Sequence, residues 1–274
     1  MTEFVDIAPM IAALAVAGAV AGLLAGLFGI GGGAILVPVF FQVFGLLGVD
    51  EAVRMHLSVG TSLAVIVPTS VRSFVSHRAR GAVDMHLLRS YALAVPAGVL
   101  VAALVFASIS SGGLRMVFAV LALLVGLKLL FGRQSWRLAD DLPGRGGRFA
   151  AGAVIGFLST LMGIGGGVLN NTFMTLCGRP IHQAVATSAG VGVLISVPGL
   201  AGAIWAGWAV PGLPFVSTGY VNWIAVAIII PVTLAAAPIG VRAAHRLGKR
   251  QLELAFGLFM LVVSARFMAS VVAG

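Results

Sequence analysis

Residues 26–38 read GLFGIGGGAILVP, and residues 159–171 read STLMGIGGGVLNN. Both copies of GIGGG, at 29–33 and 163–167, sit inside apolar runs. Each glycine in a helix costs roughly 1 kcal/mol relative to alanine. Four glycines in five positions should therefore break a helix, and this chain does so twice. The glycine pairs that let helices pack closely recur at helical spacing, whereas these glycines are contiguous. The sequence around the two breaks decides what kind of molecule this is.

The chain is 60% hydrophobic and only 9% charged, with a mean hydropathy of +1.11. A water-soluble domain carries about a quarter charged residues. Apolar runs near 20 residues recur, long enough to cross a hydrocarbon core of about 30 Å. The reading is an all-α integral membrane protein. The net charge of +9 does not indicate nucleic acid, because the basic residues fall in short loops between apolar runs, the pattern that orients membrane proteins. The lone Cys177 excludes an intrachain disulfide. The start, MTEFVDIAPM, has no Lys or Arg before its first apolar run and does not read as a cleaved signal.

The repeat extends beyond the glycines. GTSLAVIVP (60–68) resembles ATSAGVGVLISVP (186–198), GAVD (81–84) resembles GYVN (219–222), VPAGV (95–99) resembles APIGV (237–241), and LRMVF (114–118) resembles LELAF (252–256). Matches in one order imply two homologous halves, 1–134 and 148–274, joined by a linker at 135–147. Loop charge orients them. Arg78, Arg80 and Arg89 flank one loop of the first half, while its counterpart AGWAVPGLPFVSTGY (206–220) is uncharged. The next pair reverses this: SISSGG (108–113) is uncharged, and 242–250 holds Arg242, Arg246, Lys249 and Arg250. Equivalent loops then lie on opposite sides, so the two repeats have inverted topology.

Inversion needs an odd number of crossings per half. Clear spans fall at 56–76, 87–107 and 112–132, then at 183–205, 220–241 and 252–272. Segments 8–48 and 149–177 must each return to their starting side, as hairpins bent at GIGGG. Each half has about five helices, about ten in all. The N-terminus is expected outside the cell and the linker arginines inside. Arg54 is the one loop charge that does not fit.

Non-helical backbone at membrane depth survives where it is buried in protein or lines a cavity. Consecutive glycines can present successive N–H groups at a helix N-terminus, which favours an anion. The candidate substrate residues are therefore Gly31, Gly32 and Gly33 with Gly165, Gly166 and Gly167. A dinucleotide fingerprint does not fit, since no βαβ context exists and the second copy has Val168 where it needs a small residue. The pairs Thr61-Ser62 and Thr187-Ser188 recur in both halves and could add hydroxyls to an oxyanion site, although such groups often bond back to the preceding turn. Asn170 and Asn171 either cap the second hairpin or contact the ligand. All eight acidic residues fall in loops or at span ends, which argues against a cation or proton path. Lys128 and Arg266 occupy matching positions in the last span of each half and are expected to snorkel. The five histidines are scattered with no metal-ligand spacing, so no cofactor, metal or catalytic set is expected.

On both GIGGG segments, VGTSLAVIVPTS, the basic stretch ending RGAVD, AVATSAG and GYVN, the chain resembles the sulfite exporter TauE/SafE family of membrane permeases. The likeness covers nearly the whole chain. It implies movement of sulfite, other sulfur oxyanions or organosulfonates across the bacterial inner membrane. ILVPVF (35–40) has the usual family form after the glycines, while the second half has VLNNTF (168–173), without the proline and with two asparagines. The expected function is secondary transport of a small anion by alternating access, not enzymatic catalysis. An anion channel and a small-carboxylate transporter are the alternatives. The expected partners are that anion and the lipid bilayer, with a homodimer as an option and nucleic acid excluded.

Overall fold

The computed structural model describes residues 2–28, 33–132, 139–244 and 249–272. Ten α-helices run in order: α1 (Thr2–Phe28), α2 (Gly33–Leu46), α3 (Glu51–Ala79), α4 (Met85–Ser108), α5 (Ser111–Phe131), α6 (Arg145–Leu161), α7 (Gly167–Leu176), α8 (Ile181–Ala206), α9 (Trp223–Ala244) and α10 (Lys249–Val272). Six of them, α3, α4, α5, α8, α9 and α10, hold stretches long and apolar enough to cross a membrane. These are the six spans expected from the sequence. Among the described residues there is no strand, only an isolated bridge between Ser217 and Asn222. The chain is an all-α integral membrane protein.

Helix starts follow local chemistry. Asp50 accepts from Ala52 N at 2.8 Å, Asp84 from Leu87 N at 2.9 Å, Ser110 from Gly113 N at 3.1 Å and Asn222 from Ala225 N at 2.9 Å. Each side chain satisfies an amide that its helix cannot. Glycines at positive φ precede several of these starts, and they recur at matching places in the two halves. Gly48 (φ 73°) matches Gly178 (φ 75°), and Gly81 (φ 67°) matches Gly219 (φ 56°). The loop between α8 and α9 also holds Val216 at φ 58°, a costly conformation for a β-branched residue. It exposes Trp208 and Phe215, as suits an aromatic belt at headgroup level.

The helices pair in a pattern that follows the sequence repeat. α1 lies along α9 and α6 along α4, while α5 packs on α10 and α3 on α8. The first two contacts rest on GxxxG pairs. Gly18 and Gly22 of α1 face α9, where a Cβ on Gly22 would come within 2.8 Å of Thr233 Cα. Gly152 and Gly156 of α6 face α4, where a Cβ on Gly156 would overlap the Val95 carbonyl. Small residues let backbones touch, and in lipid that van der Waals contact is the main attraction between helices. α3 forms the centre, with residues 55–66 continuously buried.

The segment read as the linker is partly structured. Helix α6 starts at Arg145, so residues 145–147 belong to it and not to the linker. The end of the linker is also docked, because Ala139 N donates to Leu176 O at 3.3 Å and Arg179 pairs with Asp141 at 2.7 Å.

Gly156→Val should lower the melting temperature or abolish a monodisperse peak, since backbone is the obstacle and overpacking costs about 1–3 kcal/mol or more. Gly146→Ala, on the same helix with nothing within 4 Å of its would-be Cβ, should instead stabilise by about 0.5–1 kcal/mol. Thermal melts of the two purified variants check the contrast.

Candidate substrate site

Helix α6 ends at Leu161 and α7 begins at Gly167. The intervening Gly163 and Gly166 take φ of 64° and 71°, the left-handed region that glycine enters without penalty. The second GIGGG is therefore the bend of a broken helix. Ile164 N and Gly163 N still reach back to Ser159 O and Thr160 O, at 2.9 and 3.0 Å. Gly166 O accepts from Asn170 N at 2.8 Å, which starts α7. The amides of residues 165–169 make no hydrogen bond among the described residues. They form the positive end of α7.

The first copy is described only from Gly33 onward; Gly31 and Gly32 lie outside the described residues. Helices α1 and α2 end and begin on either side of it, at Phe28 and Gly33. Gly33 touches the other break: a Cβ there would lie 2.9 Å from Ile164 Cα and 3.3 Å from Gly163 O. Gly33 thus packs against the second glycine segment, whose equivalent residue, Gly167, lies 134 positions later in the sequence.

The Thr-Ser pairs are drawn to the same region but not as helix starts. Thr61-Ser62 lies inside α3, about three turns from Glu51. Ser62 Oγ donates to Gly163 O at 2.8 Å, meeting a carbonyl that the break leaves free. Thr61 Oγ1 accepts from Asn222 N at 3.1 Å, and Thr187 Oγ1 accepts from Asp84 N at 2.9 Å. The two threonines thus hold the residues that cap α9 and α4, each across the sequence midpoint. Neither hydroxyl bonds back along its own helix in the bonds it makes.

Asn170 and Asn171 fall in the second turn of α7, and neither caps the hairpin. Asn170 Nδ2 donates to Ser188 Oγ at 2.7 Å, and Ser188 Oγ donates to Asn171 Oδ1 at 2.7 Å. This polar chain ties α7 to α8. Asn170 Nδ2 also reaches Met174 Sδ at 3.4 Å, but Asn170 Oδ1 is buried without a partner. Ser159 Oγ is likewise buried and unpartnered; a Cβ on Gly166 would sit 3.6 Å from it. Ser159 was missed as a candidate, although it stands four residues before GIGGG within the repeated stretch.

Lys128 does not simply snorkel. Its Nζ donates to Thr172 Oγ1 at 2.7 Å, on the residue that follows Asn171. At the start of α3, buried His56 stacks on Tyr220 with centroids 4.8 Å apart and meets Phe106 edge-on at 4.9 Å. Burial pushes the Tyr220 hydroxyl above its ordinary pKa. The burial of His56 was not anticipated from the sequence, where the histidines looked loop-proximal; its register, matching His182 in the second half, was the available signal. Nearby, Arg115 pairs with Glu51 and reaches Ser270 Oγ at 3.3 Å.

Among the described residues no group of His, Cys, Asp or Glu could hold a metal. The bend offers neutral donors: hydroxyls, amides and a helix N-terminus. Against this geometry, the family model for sulfite exporter TauE/SafE matches residues 14–267. The chain belongs to that family. It is similar to a "Probable membrane transporter protein" of Haemophilus influenzae, with 31% identity over 87% of this chain and 90% of the relative. A probable membrane transporter of Methanocaldococcus jannaschii is 26% identical over 86% of this chain and 90% of its own length. One of Bacillus subtilis is 25% identical over 75% and 78%. No solved structure matches significantly. This TauE/SafE protein is a multi-pass membrane transporter whose helices contact the lipid bilayer.

Thr61→Val leaves the buried Asn222 N–H, and Thr187→Val the half-buried Asp84 N–H, without its acceptor, at a cost of up to about 1–3 kcal/mol. Both variants should melt at lower temperature than the parent. Denaturation followed in parallel for Thr175→Val, whose hydroxyl only bonds back to Asn171 O and Thr172 O, should show a smaller loss.

Proposed function

We propose that this transporter moves a small sulfur oxyanion, sulfite or an organosulfonate, by alternating access between two inverted halves, 1–134 and 148–274. The substrate sits where the glycine breaks meet. Gly31–Gly33 and Gly165–Gly167 supply amides, Ser62, Ser188, Asn170 and Asn171 supply polar side chains, and Thr61 and Thr187 hold the surrounding helices. The observation that carries this reading is the bend at Gly163–Gly167. It ends in an uncapped helix N-terminus with a buried, unpartnered hydroxyl beside it. Developed positive potential with no neutralising acid suits an anion. Among the described side chains, the acidic residues stay at helix ends and in the linker: Asp50 and Asp84 as caps, Glu51 with Arg115, Asp141 with Arg179.

The repeated left-handed glycines and the mirrored helix pairs support the two-repeat organisation. By the positive-inside rule the arginines at 78, 80 and 89 support a reading in which that end and the linker face the cytoplasm of a bacterial inner membrane, with the N-terminus outside. A cysteine placed at Pro214 and another at Lys249 should label from opposite sides of the membrane. Labelling from one side would remove the inversion.

Gly166→Val meets Ile195 Cδ1 at 2.5 Å and a φ that valine avoids. With Gly32→Val, it should lower anion binding by more than roughly tenfold, or about 1.4 kcal/mol, while insertion persists. Binding of sulfite, an organosulfonate and acetate to purified variants reads both the role of the glycines and the choice of anion. Undiminished binding by both variants would mean the glycines only pack. Concentrative uptake into liposomes driven by a second ion gradient separates a transporter from a channel.

A further inference from the structure

The second half of α3 carries a face that the site does not account for. Ser62, Ile66, Ser70, Ser73 and His77 are spaced by four, four, three and four residues, one stripe of a helix. Ser62 and Ile66 touch the glycine bend: Ser62 bonds Gly163 O, and a Cβ on Gly165 would lie 3.1 Å from Ile66 Cγ2. Below them, burial alternates with helical period. Ser70, Ser73, Phe74 and His77 are half-buried, while Val71, Arg72, Val75 and Ser76 are exposed. Val71 and Val75 are the lipid-facing side, at 42% and 59% exposure.

The half-covered face looks onto α8 at its glycines. A Cβ on Gly192 would fall 2.5 Å from Ser70 Oγ, and one on Gly165 would fall 3.7 Å from the same oxygen. Ser70 therefore points at the bend. The adjacent Thr69 instead returns its hydroxyl to Val65 O and Ile66 O at 3.1 and 3.0 Å, as hydroxyls in apolar helices usually do. One turn further on, Phe74 and Leu88 converge on Gly190, at 3.1 and 2.6 Å from its would-be Cβ. At 29 residues, α3 is about 43 Å long, longer than a hydrocarbon core of about 30 Å. Its last turns, with His77 and Arg78, reach water beside Arg80 and Arg89.

We propose that this face of α3 is the route between the glycine bend and the arginine-bearing end, with Phe74 and Leu88 forming its constriction. Its cargo is a singly charged oxyanion such as an organosulfonate. The inner end of the route is the α7 N-terminus with buried, unpartnered Ser159. Its length is lined by the neutral donors of Ser70 and Ser73, and its mouth is electropositive, which concentrates anions. The inference rests on the anion reading above.

The test uses single cysteines at Ser70, Ser73 and Val71 in membrane vesicles. They are exposed from the arginine-bearing side to a sulfonate-bearing methanethiosulfonate and to its trimethylammonium counterpart. Peptide masses resolve each site from the buried native Cys177. Ser70→Cys and Ser73→Cys should react with the sulfonate reagent at least about tenfold faster than Val71→Cys. At Ser70→Cys the anionic reagent should outpace the cationic one after correction for intrinsic reactivity. Phe74→Ala should speed modification of Ser70→Cys further. Rates at 70 and 73 no higher than at 71 with either reagent would overturn the route. A fast Ser70→Cys that reacts equally with both signs would keep the route and overturn the anion reading.

Discussion

Backbone polar groups inside a bilayer must find partners within the protein, because hydrocarbon offers none. A helix interrupted at Gly163–Gly167 exposes carbonyls at one end and amides at the other. Everything central to this structure answers that exposure. Ser62 takes the Gly163 carbonyl, Ser159 and Thr160 carbonyls take the first amides of the bend, and Gly166 O receives Asn170 N. The amides at the head of α7 remain without a hydrogen bond among the described residues, and they are the groups on which the proposed anion site rests. The break is tolerated because α3 and α8 pack around it.

The same economy explains why the halves interlock. Each threonine of a Thr-Ser pair sits in one half and holds the capping residue of a helix in the other: Thr61 with Asn222, Thr187 with Asp84. A cap residue's amide lies outside its own helix and needs an acceptor. Supplying that acceptor from the opposite half couples helix termination to assembly. The central pair, α3 and α8, thereby fixes where α4 and α9 begin, and α6 and α1 then lie along those two helices through their GxxxG faces. Few side chains do this work, in keeping with a chain that is only 9% charged.

The six long spans were legible in the sequence because hydropathy is a local sum over about 20 residues. The bend at the second GIGGG was legible because glycine's cost in a helix is local too. What joins to what was not. Nothing local says that Thr61 will meet an amide 161 residues away, or that Asn170 and Asn171 will share Ser188. These contacts depend on the register of helices brought together from opposite halves. The recurrence of Thr-Ser in both halves signalled that the pairs matter, and left open whether they face ligand or backbone. Ser159 and His56 were passed over for the opposite reason: a single serine or histidine in an apolar run carries no local signal, and of the two only His56 has a like residue, His182, at the matching place in the repeat.

The pairing of α1 with α9 also sets a timetable for making the protein. Gly18 and Gly22 are made early relative to the surface they fit, which arrives only with Trp223–Ala244. Roughly 200 residues of synthesis separate them, about 10–40 s at common elongation rates. During that interval α1 carries an unfilled glycine groove with no partner of its own half to cover it. α6 is spared this wait, since α4 is already in place when α6 is made. Two helices that occupy matching places in the finished molecule thus reach them by different histories.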